Sequence, residues 1–587
     1  MSNQNIFPKR RQELVKPNGW GYCDAYLYYD KTKNSLMFHG KRYPRVGSKP
    51  LTRALEGFKN VFSIDISEFN SDKFQTPSSI DYPIKENQKF FESIKELNID
   101  HSMNFEDRFY RGHSQSSTDI YNSMFGKFPK IPDIVVWPKN HEEVAEIVNL
   151  ANELNIGLIP VGGLSNVTGA TQCPSTENRT ICSLDLTQMF QMLWLDDKSM
   201  LACFEAGISG QDLERVLNER GFTMGHSPDS IEFSTLGGWI ATKSSGMKQQ
   251  TYGNIEDIVV KVKLVTSIGV LEHNSTTPRS SAGPDFEQLI IGSEGTLGVI
   301  TQAVVKIHKL PESTKYAAFI FPDIHCGIKF LKECSRSESL PSNMRLFCNS
   351  NVKAGLMLEE TDTISNFIHP IKLFFIKNVL RFDLDKFTSA SYMIEGDQAT
   401  VEWKDKNLRK IASKYGAFYV GENVARHSYM SSSVYSVYLR DLIFNLGALV
   451  DTVETSITWN NLENCIANIK TKYENELKRL NLKGFILYRI SQVYHEGCCL
   501  YTYYGLNKCE NQLETFKKLT DFIKNVILES GGSLSHHHGI GAKNTLRYDE
   551  NMPKIKKEML RCIKEKVDPK NVFCVRNFIP EKIQSKL

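Results

Sequence analysis

The sequence predicts an α+β protein with two large parts, a glycine-rich domain followed by a domain of different composition. Three observations support this fold class. Residues 131–161 show the pattern of a β-α-β unit that ends in a turn with two adjacent glycines. Four segments rich in glycine or hydroxyl side chains lie between residues 160 and 300. After Pro311, glycine becomes less frequent and Phe, Tyr and Lys become more frequent, which indicates a second α+β domain.

The β-α-β unit is predicted from its caps and its apolar spacing. A strand at 131–138 is bounded by prolines, and a helix begins after Asn140, whose side chain can cap it. Glu142 and Glu143 place negative charge in the first turn, where the helix dipole favours it. A short buried strand at 156–159 leads into the glycine turn. Apolar residues recur at helical spacing between the two strands, namely Val144, Ile147, Val148, Ala151 and Leu154.

Further elements are predicted from alternation, helical spacing and caps. The glycine-rich segment 236–246 is expected to make close backbone contacts or irregular turns. Strands are expected at 180–184, 201–205 and 255–266, and helices at 209–220, 511–530 and 552–567. The predicted division has four parts: an N-terminal wrapping region at 1–128, the glycine-rich domain at 129–310, the second α+β domain at 311–510 and a C-terminal region at 511–587.

Composition and charge exclude several classes of function. The chain of 587 residues carries a net charge of only +4 and has no long Lys/Arg block, which argues against a nucleic-acid-binding protein. Its 13 cysteines include no C-x-x-C pair, so neither a zinc ribbon nor a thioredoxin-type site is supported. Free thiols in a reducing compartment are expected. No apolar stretch follows the polar N-terminus with the length of a signal-peptide core, and no apolar run is long enough for a membrane-spanning helix.

The C-terminus carries a targeting signal. The last three residues are Ser585, Lys586 and Leu587, and this tripeptide is the address read by the peroxisomal import receptor. We therefore expect the protein to be imported into peroxisomes.

The four glycine- or hydroxyl-rich segments predict a site for a large ligand. They occupy residues 160–166, 229–235, 242–246 and 293–300. Consecutive backbone N–H groups of a Gly-Gly turn can converge on a pyrophosphate, and hydroxyl groups suit the sugar part of a dinucleotide. A plain structural turn explains the Gly-Gly pair equally well when it is taken alone. No G-x-G-x-x-G motif follows a strand, so a Rossmann-type NAD site is not supported.

These segments, with several others, resemble a family of flavoproteins. The glycine segments are typical of FAD-binding proteins of the vanillyl-alcohol-oxidase type. A histidine-rich segment is typical, within that fold, of the alkyldihydroxyacetonephosphate synthase family, which the chain resembles over nearly its whole length. The matching segments are 18–22, 40–44, 131–138, 228–235, 252–257, 292–301 and Gly531-Gly532-Ser533-Leu534-Ser535-His536-His537-His538-Gly539.

The resemblance implies FAD as the cofactor and a two-part FAD-binding domain at 129–310. Residues 311–510 would form a substrate-binding cap domain, with helical regions at both ends of the chain. The residues expected to bind FAD are Pro160, Val161, Gly162, Gly163, Leu164, Ser165, Asn166, Asp229, Ser230, Ile231, Glu232, Phe233, Ser234, Thr235, Thr242, Lys243, Ser244, Ser245, Glu294, Gly295, Thr296, Leu297, Gly298, Val299 and Ile300.

The resemblance also implies a reaction. Members of the family exchange the acyl chain of 1-acyl-dihydroxyacetone phosphate for a long-chain fatty alcohol. The products are 1-alkyl-dihydroxyacetone phosphate and a fatty acid, in the biosynthesis of ether lipids and plasmalogens. The exchange involves no net redox change, because the flavin is expected to act as an electrophile that holds the dihydroxyacetone phosphate carbon at N5. We therefore expect an enzyme that transfers alkyl groups.

Three candidate residues for this chemistry match family positions. Arg345 and Arg440 match arginines important for activity or substrate binding, and a guanidinium suits phosphate because it binds in a bidentate way. Tyr501 matches the family's proton-transfer tyrosine. A phenol needs a nearby cation or histidine to act as a base near neutral pH.

His536, His537 and His538 form the most distinctive local feature. On an extended chain, His536 and His538 point to one face and His537 to the other. The resemblance implies that they lie beside the flavin and Tyr501, where imidazole assists proton transfer. No cysteine or carboxylate stands beside them at the spacing of a metal site, so no metal is predicted.

The chain departs from the family pattern within the predicted FAD segments. Leu164 stands where the family usually has a third glycine, Asn166 also departs, and Lys243 replaces an arginine. Two alternatives to the synthase stay open. One is an FAD-dependent 2-hydroxy-acid oxidase or dehydrogenase on the same fold, and the other is a catalytically degenerate flavoprotein that binds ether-lipid enzymes.

One apolar and basic segment, residues 370–382, bears on the expected partners. It suits the membrane interface, although a helix that covers a core explains it equally well. We expect peripheral contact with the inner face of the peroxisomal membrane. We also expect a homodimer and a complex with dihydroxyacetone-phosphate acyltransferase.

Overall fold

The computed structural model describes residues 6–43, 49–66, 82–273, 275–359 and 363–579. The chain divides into two compact units, each built from separate stretches of sequence. The first unit takes the described residues of Met1–Gly19, Gln75–Leu310 and His537–Leu587, and the second takes those of Trp20–Phe74 and Pro311–His536. Pro44 of the segment 40–44 and the tripeptide Ser585-Lys586-Leu587 lie outside the described residues. The four-part division of the sequence stays a prediction.

The strands are numbered β1 to β20 in chain order. They are Tyr26–Asp30, Ser35–His39, Asp100–Ser102, Ile134–Trp137, Gly157–Val161, Ile181–Asp185, Met192–Asp196, Leu201–Glu205, Phe222–Thr223, Val259–Thr266, Gly269–Glu272, Val299–Lys306, His308–Lys309, Ser313–Phe321, Asn343–Phe347, Thr388–Gly396, Phe418–Tyr419, Leu449–Thr458, Gly484–Val493 and Gly497–Leu506.

The α-helices are numbered α1 to α19 in chain order. They are Ala54–Gly57, Gln88–Glu96, Phe105–Arg111, Ser117–Phe125, His141–Leu154, Gly210–Asn218, Leu236–Thr242, Gln249–Tyr252, Ile255–Ile258, Glu287–Ile290, Ile324–Cys334, Asn349–Met357, Thr363–Phe374, Gln398–Lys414, Glu422–Asn445, Trp459–Arg479, Gln512–Glu529, Thr545–Asn551 and Lys554–Val567. Short 3-10 turns occur at Arg11–Glu13 and Leu186–Gln188, and π-helical turns at Phe58–Phe62 and Phe375–Val379.

A four-stranded sheet in the order β3-β4-β6-β5 belongs to the first unit. Strands β4, β5 and β6 are parallel, and β3 runs antiparallel to β4. Helix α5 connects β4 to β5, and the Asn140 side chain caps it by accepting a hydrogen bond from the N–H of Glu143. Val144, Ile147 and Val148 of α5 are fully buried in the core of this sheet. The predicted β-α-β unit is therefore present, and β5 leads directly into the glycine turn.

A five-stranded antiparallel sheet in the order β11-β10-β12-β8-β7 completes the main framework of the first unit. Leu213 of α6 and Trp239 of α7 pack in the same hydrophobic core as Val262 and Ala303 of the sheet. This packing fixes α7, which begins where the segment 229–235 ends.

The second unit is built on a seven-stranded antiparallel sheet in the order β17-β14-β16-β15-β19-β20-β18. Helices α11, α14, α16 and α17 contact its strands. The two faces of the sheet differ. Leu346 of β15 packs against Gly327 of α11, whereas its neighbour Arg345 faces the Tyr429 ring of α15. Because successive side chains of a strand alternate in direction, α11 and α15 lie on opposite faces.

One local prediction is wrong, and another is confirmed in part. The strand expected at 255–266 begins only at Val259, because Ile255–Ile258 form a helical turn in which the Asp257 carboxylate accepts from the N–H of Asn254. The segment 236–246, expected to make close backbone contacts or irregular turns, does make a close contact, since a Cβ at Gly237 would lie 2.9 Å from Ala206 Cβ. It forms helix α7 over Leu236–Thr242. Its two glycines are tolerated because the Thr235 side chain caps the first turn.

Among the described residues, no helix is long and apolar enough to cross a membrane. All the cysteines are free, and Cys498 and Cys499 are buried in β20, as their apolar surroundings in the sequence predict.

Candidate functional site

The glycine turn of the first unit is held from one side by a buried arginine. Arg11 donates a hydrogen bond to the carbonyl of Gly163 at 3.1 Å and another to the carbonyl of Gly162 at 2.5 Å. Asp185 lies 3.8 Å from its guanidinium and supplies the opposite charge. Because trans peptide bonds point C=O and N–H in opposite directions, the amide N–H groups after these carbonyls face away from Arg11. The turn therefore offers two N–H donors to a ligand on its other side.

Both glycines are required by the segment that packs on the turn. A Cβ at Gly163 would lie 1.9 Å from the carbonyl oxygen of Phe233, and a Cβ at Gly162 would lie 2.3 Å from Oγ1 of Thr235. The predicted first and second segments, 160–166 and 229–235, are therefore in direct contact.

Leu164 adopts the left-handed conformation that a third glycine would adopt easily. Its φ angle is +55° and its side chain is buried. The departure from the family pattern therefore strains the backbone locally, since a residue with a Cβ pays about 1–2 kcal/mol in this region.

The second and third segments form a hydrogen-bonded network around α7. Ser234 Oγ accepts a hydrogen bond from Trp239 Nε1 at 2.7 Å. His226 Nε2 lies 2.9 Å from Ser244 Oγ, and burial lowers the pKa of His226 to about 3. Lys243 ends α7 with a φ angle of +51°, half exposed, with Nζ 4.0 Å from the Glu256 carboxylate. A neutral imidazole thus fixes Ser244.

The fourth segment contacts the first segment and helix α7 through its turn. The N–H of Glu294 donates to the carbonyl of Ala241 at 2.8 Å, and Gly295 approaches Pro160, with 3.6 Å from its Cβ position to Pro160 Cδ. Thr296 Oγ1 donates to the carbonyl of Ser293 at 2.6 Å. The buried Lys564 donates to the carbonyl of Thr296 at 2.8 Å. All four predicted segments are therefore gathered in the first unit.

The donor set of these segments fits a dinucleotide. It includes the N–H groups of the Gly-Gly turn, which face away from Arg11. It also includes the hydroxyl groups of Ser165, Ser234 and Ser244. The absence of a Cβ at Gly162 and Gly163 lets the first and second segments pack directly against each other. Backbone N–H groups suit a pyrophosphate and hydroxyls suit ribose or ribityl oxygens.

In the second unit, Arg345 and Tyr501 lie on one face of the seven-stranded sheet. Tyr501 on β20 is directly opposite Arg489 on β19, and Arg489 is opposite Phe347 on β15. Paired residues share a face, and Arg345 lies two residues before Phe347 on the same strand. The Arg489 guanidinium carbon lies 4.9 Å from the centre of the Tyr501 ring. Buried cations and a phenol thus share this polar face, which we define by Arg345, Arg489 and Tyr501.

Glu454 extends the polar face onto β18. It is directly opposite Tyr501 and only 2% exposed. Its carboxylate accepts a hydrogen bond from Ser535 Oγ at 2.7 Å and another from the backbone N–H of His536. Glu454 therefore anchors the start of the histidine segment to the sheet.

His536 has a second partner in Tyr494. Its Nε2 lies 2.6 Å from the Tyr494 hydroxyl, which donates to Gln492 Oε1 at 3.0 Å. Folding also brings Cys499 to this place, since ligand atoms of Glu454, Cys499 and His536 lie within 4.8 Å of one another. The sequence shows no cysteine or carboxylate close to the histidines. Glu454 and Cys499 come instead from strands β18 and β20, which are distant in the sequence.

His537 and His538 belong to the first unit, where their ring centres lie 4.5 Å apart. Thr168 Oγ1 is 3.5 Å from the carbonyl of His538. Further along the chain, the N–H groups of Ile540 and Gly541 donate to the carboxylate of Glu294, which is 7% exposed. Burial raises the pKa of Glu294 to about 7, against the opposing effect of these two amide hydrogen bonds.

Arg440 lies on α15 beside Asp441, and its side chain is 11% exposed. Its guanidinium is 3.7 Å from Asp441 and 5.1 Å from the centre of the Trp20 ring. The Asp441 carboxylate also accepts from the N–H of Trp20, and Gly21, with a φ angle of +89°, leaves room for the Tyr438 ring. These contacts give a structural reason why segment 18–22 is among the segments that match the family.

Sequence reasoning missed four residues of the site: Arg11, Glu454, Arg489 and Tyr494. The signal for Arg489 was available, because residues 484–493 and 497–506 alternate and are separated by a short connection typical of a hairpin. No local pattern marks Arg11 or Glu454, since their partners are far away in the sequence.

Comparisons with known proteins agree with this architecture. The FAD binding domain family matches residues 132–274, and the C-terminal domain family of FAD linked oxidases matches residues 310–575. An alkyldihydroxyacetonephosphate synthase of Caenorhabditis elegans is 34% identical over 97% of this chain and 96% of its own length. One of Dictyostelium discoideum is 31% identical over 98% of this chain and 95% of its own length.

Solved structures give the same result. A crystal structure of an alkyldihydroxyacetonephosphate synthase superposes with a TM-score of 0.84 at 27% identity, covering 99% of this chain and 100% of that chain. A p-cresol methylhydroxylase, 13% identical with a TM-score of 0.62, shares the fold alone, with 85% of this chain and 99% of that chain covered. The chain is a member of the alkyldihydroxyacetonephosphate synthase family, with the FAD-binding fold of vanillyl-alcohol-oxidase type.

Proposed function

We propose that the protein exchanges the acyl chain of 1-acyl-dihydroxyacetone phosphate for a long-chain fatty alcohol, forming 1-alkyl-dihydroxyacetone phosphate and a fatty acid. The observation that carries this proposal is the polar face of the second unit. It combines two buried guanidinium groups, Arg345 and Arg489, with the phenol of Tyr501. A phosphate-bearing substrate whose carbon must lose and regain a proton needs both kinds of group.

FAD is the cofactor, and the four segments of the first unit are the residues we assign to it. The Gly162-Gly163 turn would hold the pyrophosphate through its N–H groups, and Ser234 and Ser244 would bind oxygens of the sugar part. When bound, FAD supplies the electrophilic centre of the exchange. Arg11 and His226 support this site indirectly. Arg11 holds the glycine turn, and His226 is hydrogen-bonded to Ser244.

Arg345 and Arg489 are assigned to the substrate phosphate. Each is less than a tenth exposed, so an anion beside them is poorly screened by water and is attracted strongly. Arg345 also stacks on Tyr429, with 5.0 Å from the guanidinium carbon to the ring centre. This stacking keeps its planar fork in one orientation.

Tyr501 is assigned to proton transfer at the substrate carbon. Its hydroxyl donates to Thr452 Oγ1 at 3.3 Å, and the positive charge of Arg489 beside its ring stabilises a phenolate. His536, anchored by Glu454 and Tyr494, provides an imidazole that can exchange a proton near neutral pH. We therefore assign both the removal of the proton from the substrate carbon and its return to side chains of the protein.

The test is an exchange assay with FAD-replete protein, palmitoyl-dihydroxyacetone phosphate and labelled hexadecanol. We expect labelled alkyl product without an external electron acceptor. In a parallel arm, a 2-hydroxy acid is added anaerobically. Bleaching of the flavin there, together with no alkyl product in the first arm, would support the oxidase alternative and contradict the proposal.

Membrane contact through residues 370–382 is part of the proposal. Ile371, Phe374 and Val379 are more than half exposed, and the basic residues Lys372, Lys377 and Arg381 lie among them. Exposed apolar side chains flanked by cations suit an anionic bilayer surface, where the lipid substrates reside. Charge reversal of the three cations should weaken binding to anionic liposomes, with reversal of the exposed Lys406, Lys410 and Lys414 as the control. Unchanged liposome binding would remove this segment from the proposal.

Peroxisomal import through Ser585-Lys586-Leu587 is also proposed. Deletion of the three residues should leave a fluorescent fusion in the cytosol, whereas the full chain should co-localise with a peroxisomal marker. A homodimer and a complex with dihydroxyacetone-phosphate acyltransferase are proposed from family membership. Light scattering of the purified chain and of its mixture with the acyltransferase tests both, and elution as separate monomers would contradict them.

A further inference from the structure

Glu294 occupies a backbone conformation that favours glycine. Its φ angle is +49°, between Gly292 at +86° and Gly295 at +74°. A residue with a Cβ adopts this left-handed region at an energetic cost. A glutamate at this position therefore indicates that its side chain makes contacts that offset the cost.

The contacts join two parts of the first unit that are far apart in sequence. Glu294 Oε1 accepts from the N–H of Ile540 at 2.6 Å, and Oε2 accepts from the N–H of Gly541 at 2.8 Å. The backbone of Glu294 is fixed as well, because its N–H donates to Ala241 and its carbonyl accepts from Asn577 Nδ2 at 3.0 Å. The carboxylate is thus a rigid acceptor with each oxygen assigned to one amide.

The loop that receives these bonds directly follows His537 and His538. Gly539 has a φ angle of +86°, and a Cβ there would lie 2.7 Å from Glu294 Oε1. Gly541 packs on the other side, where a Cβ would lie 2.2 Å from the carbonyl oxygen of Thr168. That carbonyl also accepts from the N–H of Lys543 at 3.1 Å. The loop is therefore clamped between Glu294 and Thr168.

We propose that Glu294 is a positioning residue, which holds the loop of His537 and His538 in a fixed orientation relative to the glycine segment 293–300. This role differs from direct FAD binding, because both carboxylate oxygens are directed to the loop. The inference rests on the proposed assignment of the histidine segment to proton transfer.

Two substitutions of Glu294 test separately the charge and the length of its side chain. Glu294→Gln keeps the size but turns one acceptor into an N–H₂ donor that faces an amide N–H, so one hydrogen bond is lost and two donors oppose each other. Glu294→Asp keeps the two acceptors but shortens the side chain. Glu287→Gln, on α10 of the same region, removes a carboxylate that holds no residue of the histidine loop and serves as the matched control.

The experiment compares the four holoenzymes in three measurements: the flavin-to-protein ratio, kcat with KM for palmitoyl-dihydroxyacetone phosphate, and amide hydrogen exchange of residues 536–545. For Glu294→Gln we expect an unchanged flavin ratio and a KM within about twofold. We expect kcat to fall on the order of tenfold or more, with faster exchange in the loop. Glu294→Asp should be intermediate in kcat and exchange, and Glu287→Gln should match the wild type.

Two results would overturn the inference. One is a loss of activity that only follows a loss of flavin, which would make Glu294 a cofactor-binding residue. The other is unchanged loop exchange and unchanged kcat in Glu294→Gln, or in Glu294→Asp if the glutamine variant does not fold. Failure of the wild type to form alkyl product would contradict the proposed function instead, and hydrogen exchange would still decide whether Glu294 holds the loop.

Discussion

Tyr501 is the residue on which the proposed proton transfer depends. It is flanked across the sheet by Arg489 on β19 and Glu454 on β18. The Arg489 guanidinium lies over the Tyr501 ring, and the Glu454 carboxylate accepts from the N–H of His536. The proposed base and the carboxylate that holds His536 therefore lie opposite each other on neighbouring strands.

Replacement of Tyr501 by Phe removes the phenolic oxygen and leaves the packing of the ring. We expect the variant to retain FAD and to lose turnover by about 10²–10⁴-fold. Single-turnover and steady-state assays of purified protein measure this loss. Tyr503→Phe, two residues along the same strand, is the matched control and should keep its turnover. Near-normal turnover in Tyr501→Phe would remove Tyr501 from its assigned role.

His226 makes stability depend on pH. The folded protein keeps the buried imidazole neutral with a pKa of about 3, whereas the unfolded chain takes up a proton below about pH 6.5. The unfolded state therefore binds more protons as the pH falls, and this group lowers the free energy of unfolding by about 2 kcal/mol between about pH 7.5 and pH 5. Other buried groups titrate over the same range with the opposite sign, Glu294 among them, so the test compares two proteins. Between about pH 7.5 and pH 5, urea unfolding should show a change in the free energy of unfolding that is about 2 kcal/mol less favourable in the wild type than in His226→Gln. Equal changes in the two proteins would contradict this contribution of His226.

Leu164 shows what sequence comparison could and could not predict at this scale. The departure from glycine is visible in the sequence, whereas the left-handed backbone and the burial of the side chain are visible only in the structure. Its consequence depends on burial, because a buried leucine side chain contributes about 1.5–3 kcal/mol and the left-handed backbone costs about 1–2 kcal/mol. The leucine is 5% exposed, so its burial offsets most or all of the strain.

Among the elements, the glycine turn after β5 is tightly constrained by packing. Gly163→Ala places a Cβ 1.9 Å from the carbonyl oxygen of Phe233, so the turn and the segment 229–235 must separate. We expect FAD affinity to fall at least about tenfold, which corresponds to about 1.4 kcal/mol. Fluorescence titration of the apoprotein with FAD measures the affinity.

Gly355→Ala is the control for this prediction. Gly355 lies within helix α12, and nothing lies within 4 Å of its Cβ position. The alanine should raise the free energy of unfolding by about 0.5–1 kcal/mol through helix propensity and leave FAD affinity unchanged. If Gly163→Ala bound FAD as tightly as this control, the turn would not be part of the cofactor site.

Elements were predictable where their signals are local. The caps Asn140 and Ser209 marked the starts of α5 and α6, and Asn511 immediately precedes α17. The helical turn at Ile255–Ile258 was missed because it runs directly into the apolar strand β10, although Asn254 and Asp257 form a capping box at its start. Arg489 was missed because its importance comes from a neighbouring strand, and strand pairing is set by the tertiary fold.

At the scale of the whole molecule, both units are assembled from stretches that the sequence separates. The first unit takes its last stretch from His537 onwards, and the second begins with Trp20. Local patterns cannot reveal such an assembly, because Arg11 meets Gly163 and Asn577 meets Glu294 only after folding. The family resemblance spans the chain from 18–22 to the histidine segment, but the predicted division into four consecutive parts did not include this assembly.

The central claim is that the protein catalyses an exchange and not an oxidation. The most direct test follows fatty acid release, alkyl product and the flavin absorbance together in one reaction, with palmitoyl-dihydroxyacetone phosphate, labelled hexadecanol and no electron acceptor. The account predicts one fatty acid released for each alkyl product over many turnovers, with the flavin oxidised again at the end. Product that stops after one equivalent of flavin is reduced, or no alkyl product from FAD-replete protein, would contradict it.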